Sequence, residues 1–400
     1  MRDELVITGM GAVTPLGCGV ETYWDHLVRG DCGITELTEP ELQDLPVHRA
    51  ARVRDFQPRD YMPKPLMLDM APFARYAYAA AAQALEQSGL DPSARRVGLV
   101  MGTALQGLDY LAQVQHALDA EGRGGDPKLM TKYMGNIAAA QFAIRHGIQG
   151  PSLTVGTACS SGGDAVTTAA LLLQGGMAEA AVVMAGEAAI CPAAILSLTK
   201  SGALSPAGES RPFSADRSGF VLGEGGGALV LETAESAERR GAPVLARLLG
   251  WGSNNDAFHP VCPHPEGTQA AACMEEALQR AGLSPSQVDY VNAHGTATLK
   301  GDLAEAVALH RVFGEKTPPV SSTKGATGHM MGAGGITELI ACVKALETGL
   351  LPPNLGLSEQ DPACGLDLAA PAAREGRYRV AMSNAFGFGG QNSCLLVGSP

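Results

Sequence analysis

Short apolar segments rich in β-branched residues alternate along the chain with longer segments rich in alanine and leucine. The short segments predict strands and the long ones predict helices, so the pattern indicates an α/β protein. Glycine follows several of the long segments and marks where those helices end. The predicted strands are residues 5–8, 97–101, 152–155, 180–185, 225–232, 243–249, 288–292 and 379–382, and the predicted helices are residues 22–28, 70–88, 136–146, 164–174, 267–281 and 302–313, with one more ending near residue 347.

The order of these elements repeats about the middle of the chain. Residues 150–176 contain a proline, a short strand, a glycine-rich turn, a helix and a glycine stop, and residues 319–349 contain the same series. Cys159 and His329 take equivalent places in the two turns. The order therefore predicts two halves built on the same βα plan. These halves are residues 1–240 and 241–400.

A glycine-rich segment, residues 9–17, follows the first predicted strand in the manner of a dinucleotide-binding loop. Thr14, however, stands where the third glycine of GxGxxG belongs, and Pro15 follows it. We therefore expect a tight loop that leads into the first helix, not a nucleotide site.

Composition narrows the class of protein. The 400 residues are 46% hydrophobic and 18% charged, which indicates a globular chain with a large core. The formal net charge of -12 argues against broad nucleic-acid binding, which needs a basic face. The nine cysteines show no paired CxxC spacing, which is typical of a reduced, cytoplasmic protein. No segment approaches the ~18 apolar residues of a membrane span, so we expect no membrane partner.

Cys159 lies in the turn between the predicted strand 152–155 and the predicted helix 164–174. A thiol at a helix start faces free backbone N–H groups and the positive end of the helix dipole, and both favour the reactive thiolate. The small residues around it let a ligand or another backbone come close. Two interpretations stay open from this segment: a nucleophile, and a buried structural cysteine.

Three more glycine-rich turns with polar residues follow predicted strands, at residues 292–298, 324–329 and 384–390. The first two carry His294 and His329. Because the carboxyl ends of strands converge in α/β proteins, we expect both histidines to meet Cys159. One thiolate with two imidazoles suits acyl transfer, in which the thiolate attacks a thioester and the imidazoles donate to a developing oxyanion. A hydrogen-bonded structural role is the alternative for each histidine.

Zinc is the competing use of cysteine and histidine. No two of the three side chains just named have close ligand spacing, so we predict no metal there. The segment His259-Pro-Val-Cys262-Pro-His264 looks more like a metal site, although its prolines suggest a rigid loop.

Taken together, these motifs resemble the β-ketoacyl-[acyl carrier protein] synthases, elongating condensing enzymes of the thiolase fold, and most of all the type II form. The resemblance covers essentially the whole chain in order, and it implies a five-layered αβαβα core. It implies no cofactor of the chain's own, because phosphopantetheine arrives on the acyl carrier protein. The matching motifs are Thr157-Ala-Cys159-Ser-Ser, Arg211-Pro-Phe, Arg217-Ser-Gly-Phe-Val-Leu-Gly-Glu224-Gly, Val291-Asn-Ala-His294-Gly-Thr-Ala-Thr298, Ser321-Ser-Thr-Lys324-Gly-Ala-Thr-Gly-His329 and Asn384-Ala-Phe-Gly-Phe-Gly-Gly390.

The resemblance also implies roles for single residues. Cys159 resembles the nucleophile that takes the acyl chain, and His294 and His329 resemble the pair that promotes malonyl decarboxylation and stabilises the enolate. The backbone N–H groups of Cys159 and Phe388 would form the oxyanion hole, and the Phe388 ring resembles the gate to the acyl pocket. The other implied residues are Lys324, which supports the second histidine; Asp302 and Glu305, which pair with that lysine or else begin a helix; Thr296 and Thr298, which bind the pantetheine amides; and Leu105, Leu198 and Phe386, which line the substrate.

The implied reaction is the decarboxylative condensation of an acyl-enzyme thioester with malonyl-[acyl carrier protein], giving 3-oxoacyl-[acyl carrier protein]. Fatty-acid elongation by a homodimer is the first interpretation. The alternative is the ketosynthase subunit of a specialised type II polyketide or polyene synthase, paired with a chain-length-factor subunit. A non-catalytic partner subunit is a third alternative, but such subunits usually lack the cysteine that this chain has at position 159. A degradative thiolase is a fourth, but it would need a second catalytic cysteine within residues 384–390, where this chain has none.

A departure from the family pattern favours the alternative. Where members of fatty-acid synthesis carry a basic cluster that docks the carrier protein, this chain has only Lys64 before Arg75. Gly202 stands where a docking arginine is common. Electrostatic steering of an acidic carrier would be weaker here, which suggests a dedicated carrier or an unequal partner subunit.

Overall fold

The computed structural model describes residues 4–93, 96–122 and 125–400. Its strands, in chain order, are β1 (Leu5–Thr14), β2 (Gly17–Cys18), β3 (Ile34–Glu36), β4 (Arg49–Ala51), β5 (Val97–Gly102), β6 (Ser152–Val155), β7 (Ala180–Glu187), β8 (Gly225–Thr233), β9 (Ala246–Asn255), β10 (Tyr290–Asn292), β11 (Val320–Ser321), β12 (Leu350–Leu351), β13 (Arg374–Glu375), β14 (Val380–Gly387) and β15 (Gln391–Gly398).

The helices follow the strands closely in sequence, and most of the longer ones end at a glycine. They are α1 (Val20–Arg29), α2 (Lys64–Leu68), α3 (Pro72–Ser88), α4 (Leu108–Glu121), α5 (Leu129–Tyr133), α6 (Asn136–His146), α7 (Ser161–Gln174), α8 (Pro192–Lys200), α9 (Ala234–Arg240), α10 (Thr268–Ala281), α11 (Leu299–Phe313), α12 (Lys324–Thr327) and α13 (Gly334–Thr348). None of the helices in the described ranges is long and apolar enough to cross a membrane.

The main strands form two sets with the same internal order. One set runs β1-β8-β7-β5-β6 and the other runs β9-β15-β14-β10-β11. In each set the first two pairings are antiparallel and the last two are parallel. A short pairing between β1 and β9 joins the sets into one continuous path. The division into halves at residues 1–240 and 241–400 stays a prediction, because this shared edge and a shared helical layer link the two sets.

Helices lie on both outer faces and between the two sets of strands. α7 and α13 contact strands of both sets and each other, so they form the central layer. α3 and α6 cover the outer face of the first set, and α10 covers the second set with α11 packed on it. The layers therefore run helix, sheet, helix, sheet, helix. This confirms the five-layered αβαβα arrangement expected of the thiolase fold.

The central layer is apolar and closely packed. Ala165 and Ala169 of α7 and Ile336, Leu339 and Ile340 of α13 are buried in one cluster with residues of both strand sets. α13 in particular has a buried side chain at almost every position. A helix that is buried on nearly all sides belongs in the interior, and burying its apolar surface between two sheets supplies much of the hydrophobic stabilisation of the fold.

Glycines let the first turns of α7 and α13 touch backbone to backbone. A Cβ added at Gly335 would lie 2.7 Å from the backbone nitrogen of Gly163, and one added at Gly162 would lie 2.7 Å from the carbonyl oxygen of Gly332. Real side chains essentially never approach so closely, so the contact requires glycine. This contact brings together the two turns that precede the helices.

The two turns are related more closely in structure than their sequences show, but in a different register. Ala158 opens a 3-10 turn before α7 with φ 51°, and Met331 opens the matching turn before α13 with φ 47°. Counting from these residues, Cys159 corresponds to Gly332. The predicted equivalence of Cys159 and His329 is therefore wrong by three positions, because the turn geometry sets the register.

β1 is longer than predicted, so the tight loop expected over residues 9–17 is confined to the turn that joins Thr14 to Gly17, between β1 and β2. Gly9 and Gly11 lie inside the strand, where an added Cβ would come within 2.0 Å of backbone carbonyl oxygens of α3. Glycine here allows a helix to pack closely on a strand. The glycine spacing reflects this packing and not a turn.

We expect Gly335→Ala to destabilise the protein, although alanine favours a helix interior by about 1 kcal/mol over glycine. The added methyl collides with the α7 backbone, and we expect the free energy of unfolding to fall by roughly 1–3 kcal/mol. Urea unfolding measures the difference. The control is Gly98→Ala, because an added Cβ there makes only ordinary contacts at 3.5 Å or more. A Gly335→Ala variant as stable as the parent would contradict the close approach.

Candidate active site

Cys159 lies in the 3-10 turn Ala158–Ser160, which continues directly into α7. The predicted helix therefore begins earlier than expected, at Ser161. Local hydrogen bonds hold the positive φ of Ala158: the Thr157 N–H donates to Ser161 Oγ at 2.9 Å, and Ser161 Oγ donates to the Ala158 carbonyl oxygen at 2.6 Å. A strained strand-to-helix turn of this kind is typical of a catalytic nucleophile.

Asp164 ties this turn to the second strand set. Thr157 Oγ1 donates to Asp164 Oδ2 at 2.7 Å, and Ser253 Oγ of β9 donates to Asp164 Oδ1 at 2.9 Å. The Asp164 side chain is buried, at 7% exposure. Sequence reasoning placed Asp164 only at the start of a helix, and its one signal there was an acidic residue in the first turn.

The structure brings Cys159, His294 and His329 together, as expected. His329 Nε2 lies 3.1 Å from Cys159 Sγ. The rings of His294 and His329 are 5.4 Å apart between centroids and nearly perpendicular, at 84°. Phe220 packs edge-to-face on His329, with centroids 5.1 Å apart, and Phe386 lies 5.9 Å from His294. These aromatic contacts fix the orientation of both imidazoles.

Burial keeps all three groups neutral at rest. It raises the pKa of the Cys159 thiol to about 12, against the opposing effect of the Phe388 backbone N–H and the Lys324 charge. Burial and the Lys324 charge hold the pKa of both His294 and His329 well below the usual range. Burial thus opposes the thiolate that the helix start favours. The neutral thiol donates to His329 Nε2.

The predicted partners of Lys324 are wrong. Lys324 Nζ donates to Glu338 Oε1 of α13 at 2.5 Å, and the side chains are only 1% and 4% exposed. Sequence reasoning missed Glu338, although a single carboxylate within an otherwise apolar helix segment signals a buried partner. The pair anchors the Lys324 charge beside the two histidines.

Asp302 and Glu305 instead hold backbone. Asp302 accepts the backbone N–H groups of Phe213 and Ala297, and it lies 3.7 Å from Arg217. Glu305 accepts the N–H groups of His294 and of the residue that follows it, at 2.8 and 2.7 Å. Both acids are fully buried at the start of α11, and Glu305 fixes the loop that carries His294.

A cavity of about 80 Å³ opens beside the three reactive groups. Thr296 and Thr298 line it, with their Oγ1 atoms 3.1 Å apart, and so do the rings of Phe386 and Phe388. Thr298 also caps α11 by accepting the N–H of Gly301. Both threonine hydroxyls thus face the space through which a ligand reaches Cys159.

Leu105 and Leu198 lie elsewhere around the same thiol. Both pack, with Phe388, against an apolar cluster that contains Cys159 and Ile190. They are absent from the lining of the cavity beside the threonines. Cys159 therefore has two sides, the cavity that the two threonines line and an apolar cluster.

The metal-like segment stabilises its own loop. His259 Nδ1 accepts the backbone N–H groups of Val261 and Cys262, each at 3.0 Å, and His264 Nδ1 accepts that of Glu266 at 3.3 Å. Within the described residues, no three histidine, cysteine or acidic side chains are grouped to hold a metal ion. The loop borders the cavity beside Cys159 through Val261, Pro263 and His264.

Comparison with known families decides the identity of the fold and site. The "Beta-ketoacyl synthase, N-terminal domain" family matches residues 2–237, and the "Beta-ketoacyl synthase, C-terminal domain" family matches residues 245–358. The chain belongs to the β-ketoacyl synthase family. It is 38% identical to 3-oxoacyl-[acyl-carrier-protein] synthase 2 of Rhizobium meliloti (strain 1021), with 98% of each chain covered.

Two solved structures of this family share the whole fold. The ishigamide ketosynthase/chain length factor has a TM-score of 0.93 at 32% identity, and all of both chains is covered. A type II polyketide synthase complex, AntDE:AntF, described as an acyl-carrier protein with its ketosynthase bound to the hexaketide, has a TM-score of 0.91 at 28% identity over all of both chains.

We expect Asp164→Asn to slow acylation of Cys159 by an acyl thioester about tenfold, because a misplaced nucleophile loses reactivity steeply with distance. The amide keeps the size of the side chain, but it can accept only one of the two hydroxyl hydrogen bonds through its oxygen. Rapid-quench intact-protein mass spectrometry gives the acylation rate. Ser253→Ala, which removes only the link to β9, is the matched variant and should lose less. An unchanged rate in Asp164→Asn would contradict a positioning role.

Proposed function

We propose that this chain catalyses the decarboxylative Claisen condensation of an acyl-enzyme thioester with malonyl-[acyl carrier protein], giving 3-oxoacyl-[acyl carrier protein]. The observation that carries the proposal is the 3.1 Å contact of Cys159 Sγ with His329 Nε2 beside His294 in one buried cavity. Family membership and the similarity to 3-oxoacyl-[acyl-carrier-protein] synthase 2 of Rhizobium meliloti support the same reaction.

Acylation comes first. Cys159 Sγ attacks the carbonyl carbon of the incoming thioester while its proton passes to neutral His329 Nε2. The backbone N–H groups of Cys159 and Phe388 stabilise the oxyanion, and the N–H of Phe388 already contacts the thiol. The bond to pantetheine breaks, and its thiolate takes the proton from His329. The imidazole is neutral again when the acyl-enzyme has formed.

Decarboxylation needs both histidines as donors. The bond from the malonyl carboxylate to its α-carbon breaks, carbon dioxide leaves, and the electron pair moves into an enolate on the thioester oxygen. Neutral His294 and His329 stabilise that oxygen through Nε2–H. Neither Nδ1 has a hydrogen-bond partner among the residues that the structure describes, so no contact locks the tautomer. His329 Nε2 is therefore free to accept in the first step and donate in the second.

Condensation restores the enzyme. The enolate carbon attacks the carbonyl of the Cys159 thioester, the new carbon–carbon bond forms, and the bond to Sγ breaks. The negative charge of the malonyl carboxylate, which passed to the enolate when carbon dioxide left, is now on Sγ. The Cys159 thiolate takes up one proton, which neutralises that charge. Both substrates use one thiol in turn, so ping-pong kinetics follow.

The substrate brings its own prosthetic group. We infer that the pantetheine arm of the carrier protein enters the cavity lined by Thr296 and Thr298, whose hydroxyls suit its amide groups. The chain itself then needs no cofactor and no metal. The free cysteines of the described residues fit a reducing compartment, and we propose the cytoplasm.

A second subunit completes the proposed enzyme. β6 is the edge strand of its set, and Leu153 on it is 45% exposed. Ile144 of α6, the helix that precedes β6 in the chain, is 78% exposed. An exposed apolar edge strand suits pairing with another strand. A homodimer and a heterodimer with a chain-length-factor-like subunit both satisfy this edge.

Two pathways remain candidates, fatty-acid elongation and a specialised type II polyketide or polyene synthase. Surface charge favours the second. Lys128 pairs with Asp69 near the segment that holds Lys64, and Lys132 pairs with Asp126 at 3.1 Å. These basic groups are already partly neutralised, so a strongly acidic carrier gains little from them. The likeness to the ishigamide ketosynthase/chain length factor supports this pathway.

We expect Cys159→Ala and His294→Ala to separate the two half-reactions. Cys159→Ala loses condensation because it cannot hold the acyl chain, while the histidines remain to decarboxylate malonyl-[acyl carrier protein]. His294→Ala loses a donor to the enolate, and decarboxylation falls by roughly a hundredfold or more. Carbon dioxide release and 3-oxoacyl product, measured side by side, distinguish the variants. Full condensation by either variant would contradict the proposal.

We also expect Lys324 to set the acidic limb of decarboxylation. Burial and the Lys324 charge both lower the pKa of the histidines. Removing the charge raises those pKa values. Because the histidines work as neutral groups, the activity lost on acidification is then lost at a higher pH. The test is the double variant Lys324→Met/Glu338→Gln, which leaves no unpaired buried charge. Its acidic limb, read from carbon dioxide release against pH, should lie above that of the parent. Identical limbs would contradict this role.

A further inference from the structure

A second cavity, of about 860 Å³, shares a wall with the apolar cluster around Cys159. Leu42 and Ile190 belong to that cluster and also line this cavity. Leu105 connects the two in another way, because it packs against the Cys159 cluster and against a smaller cluster that contains Cys191, a residue of the cavity wall. We call this space the polar cavity.

Space for an acyl chain is short near the thiol itself. The cavity that Cys159 lines has a volume of about 80 Å³, against about 860 Å³ for the polar cavity. The smaller cavity lies on the threonine side, where the pantetheine arm would stand. An acyl group that outgrows it would extend past the apolar cluster, and Leu42 and Ile190 are the part of the cluster that borders further open space.

The far wall of the polar cavity is charged. Arg52 is paired with Glu39 at 2.8 Å and with Glu224 at 3.6 Å. Glu224 also accepts from the Tyr76 hydroxyl at 3.2 Å and from a backbone N–H at 3.1 Å. These groups satisfy one another, so they form a fixed lining.

Asp109 differs from its neighbours in the polar cavity. It lies in the first turn of α4 and lines the cavity, and it is 7% exposed. Its Oδ1 has no hydrogen-bond partner among the described residues. A buried carboxylate oxygen without a donor is costly, and most such atoms in folded proteins are satisfied. Burial raises its pKa to about 6, against the opposing effect of the backbone N–H groups of Tyr110 and Asp109 and of the Arg52 and Arg75 charges.

The balance of charge selects the kind of ligand. The cavity is lined by four acids and one arginine, which already has two acidic partners. A carboxylate or phosphate would meet repulsion there, whereas a hydroxyl, amide N–H or ammonium group would supply the missing donor. The rim residues Glu41, Gln113 and His116 are exposed, so water reaches the cavity and a polar group can remain solvated in it.

We propose that the polar cavity receives the distal end of the acyl group held on Cys159, and that this acyl group carries a hydrogen-bond donor that Asp109 accepts. The inference rests on the proposed function, because it needs an acyl-enzyme at Cys159. It narrows the substrate class from acyl chains in general to chains with a donor at or near their far end. A simple saturated fatty acyl chain would leave Oδ1 of Asp109 unpaired.

Paired synthetic thioesters test this directly. N-acetylcysteamine thioesters of straight chains from hexanoyl to dodecanoyl are made with either a methyl or a hydroxyl end, and the rate of Cys159 acylation is followed by intact-protein mass spectrometry. At the length that reaches Asp109, we expect the hydroxyl-ended chain to be preferred about tenfold, the size of one hydrogen bond to a charged group. Asp109→Leu should reverse the preference towards the methyl-ended chain. Gln115→Ala, an exposed position of α4 outside the cavity lining, is the matched control and should keep it.

Each other outcome overturns a distinct statement. If methyl-ended chains load as fast as hydroxyl-ended chains at every length, the inference is wrong and the proposed reaction stands. If the preference exists but survives in Asp109→Leu, the donor is recognised elsewhere and the role of Asp109 is wrong. If no synthetic thioester acylates Cys159 and acyl carrier proteins loaded with acyl chains fail as well, the proposed function itself is contradicted.

Discussion

The contact between the N-termini of α7 and α13 is the constraint on which the rest of the structure depends. Glycine at positions 162 and 335 removes the side chains that would keep the two backbones apart. Each glycine in a helix costs about 1 kcal/mol relative to alanine, so the contact is made at the expense of local helix stability. Apolar burial of both helices between two sheets offsets that cost. The turns before the helices are then forced together.

This contact also directs the positive ends of two helix dipoles at the same place. The positive ends of α7 and α13 both lie at the turns that carry Cys159 and follow His329. Positive helix ends stabilise negative charge within about one turn. A thiolate, an oxyanion and an enolate, the three anions of the proposed reaction, all develop here. The reactive groups themselves stay neutral at rest, since burial disfavours their charged forms. Stabilisation is thereby reserved for charge that appears during reaction.

Sequence reasoning predicted what local patterns determine. The strand Ser152–Val155 and the helix Asn136–His146 are confirmed to the residue, because a proline or glycine marks their ends. The meeting of Cys159 with both histidines is confirmed as well, since it follows from the convergence of strand ends. Their catalytic roles stay proposals, supported by the geometry and by the family.

Long-range pairing explains the errors. Gly9 and Gly11 look like a loop in sequence, but a helix more than sixty residues away requires them. Glu338 replaces Asp302 and Glu305 as the partner of Lys324. All three acids are buried, and no local spacing indicates which of them meets the lysine. The burial that opposes a thiolate at Cys159 is also not visible in a linear pattern. The polar cavity escaped notice for the same reason, as its charged residues come from separate parts of the chain.

The most direct test of the central claim is intact-protein mass spectrometry of the parent protein mixed with acyl carrier proteins loaded with different acyl chains, followed by peptide mapping. The account predicts a mass gain of one acyl group, located on Cys159 and released when malonyl-[acyl carrier protein] is added. An acyl group on another residue, or one on Cys159 that malonyl-[acyl carrier protein] leaves in place, would contradict it.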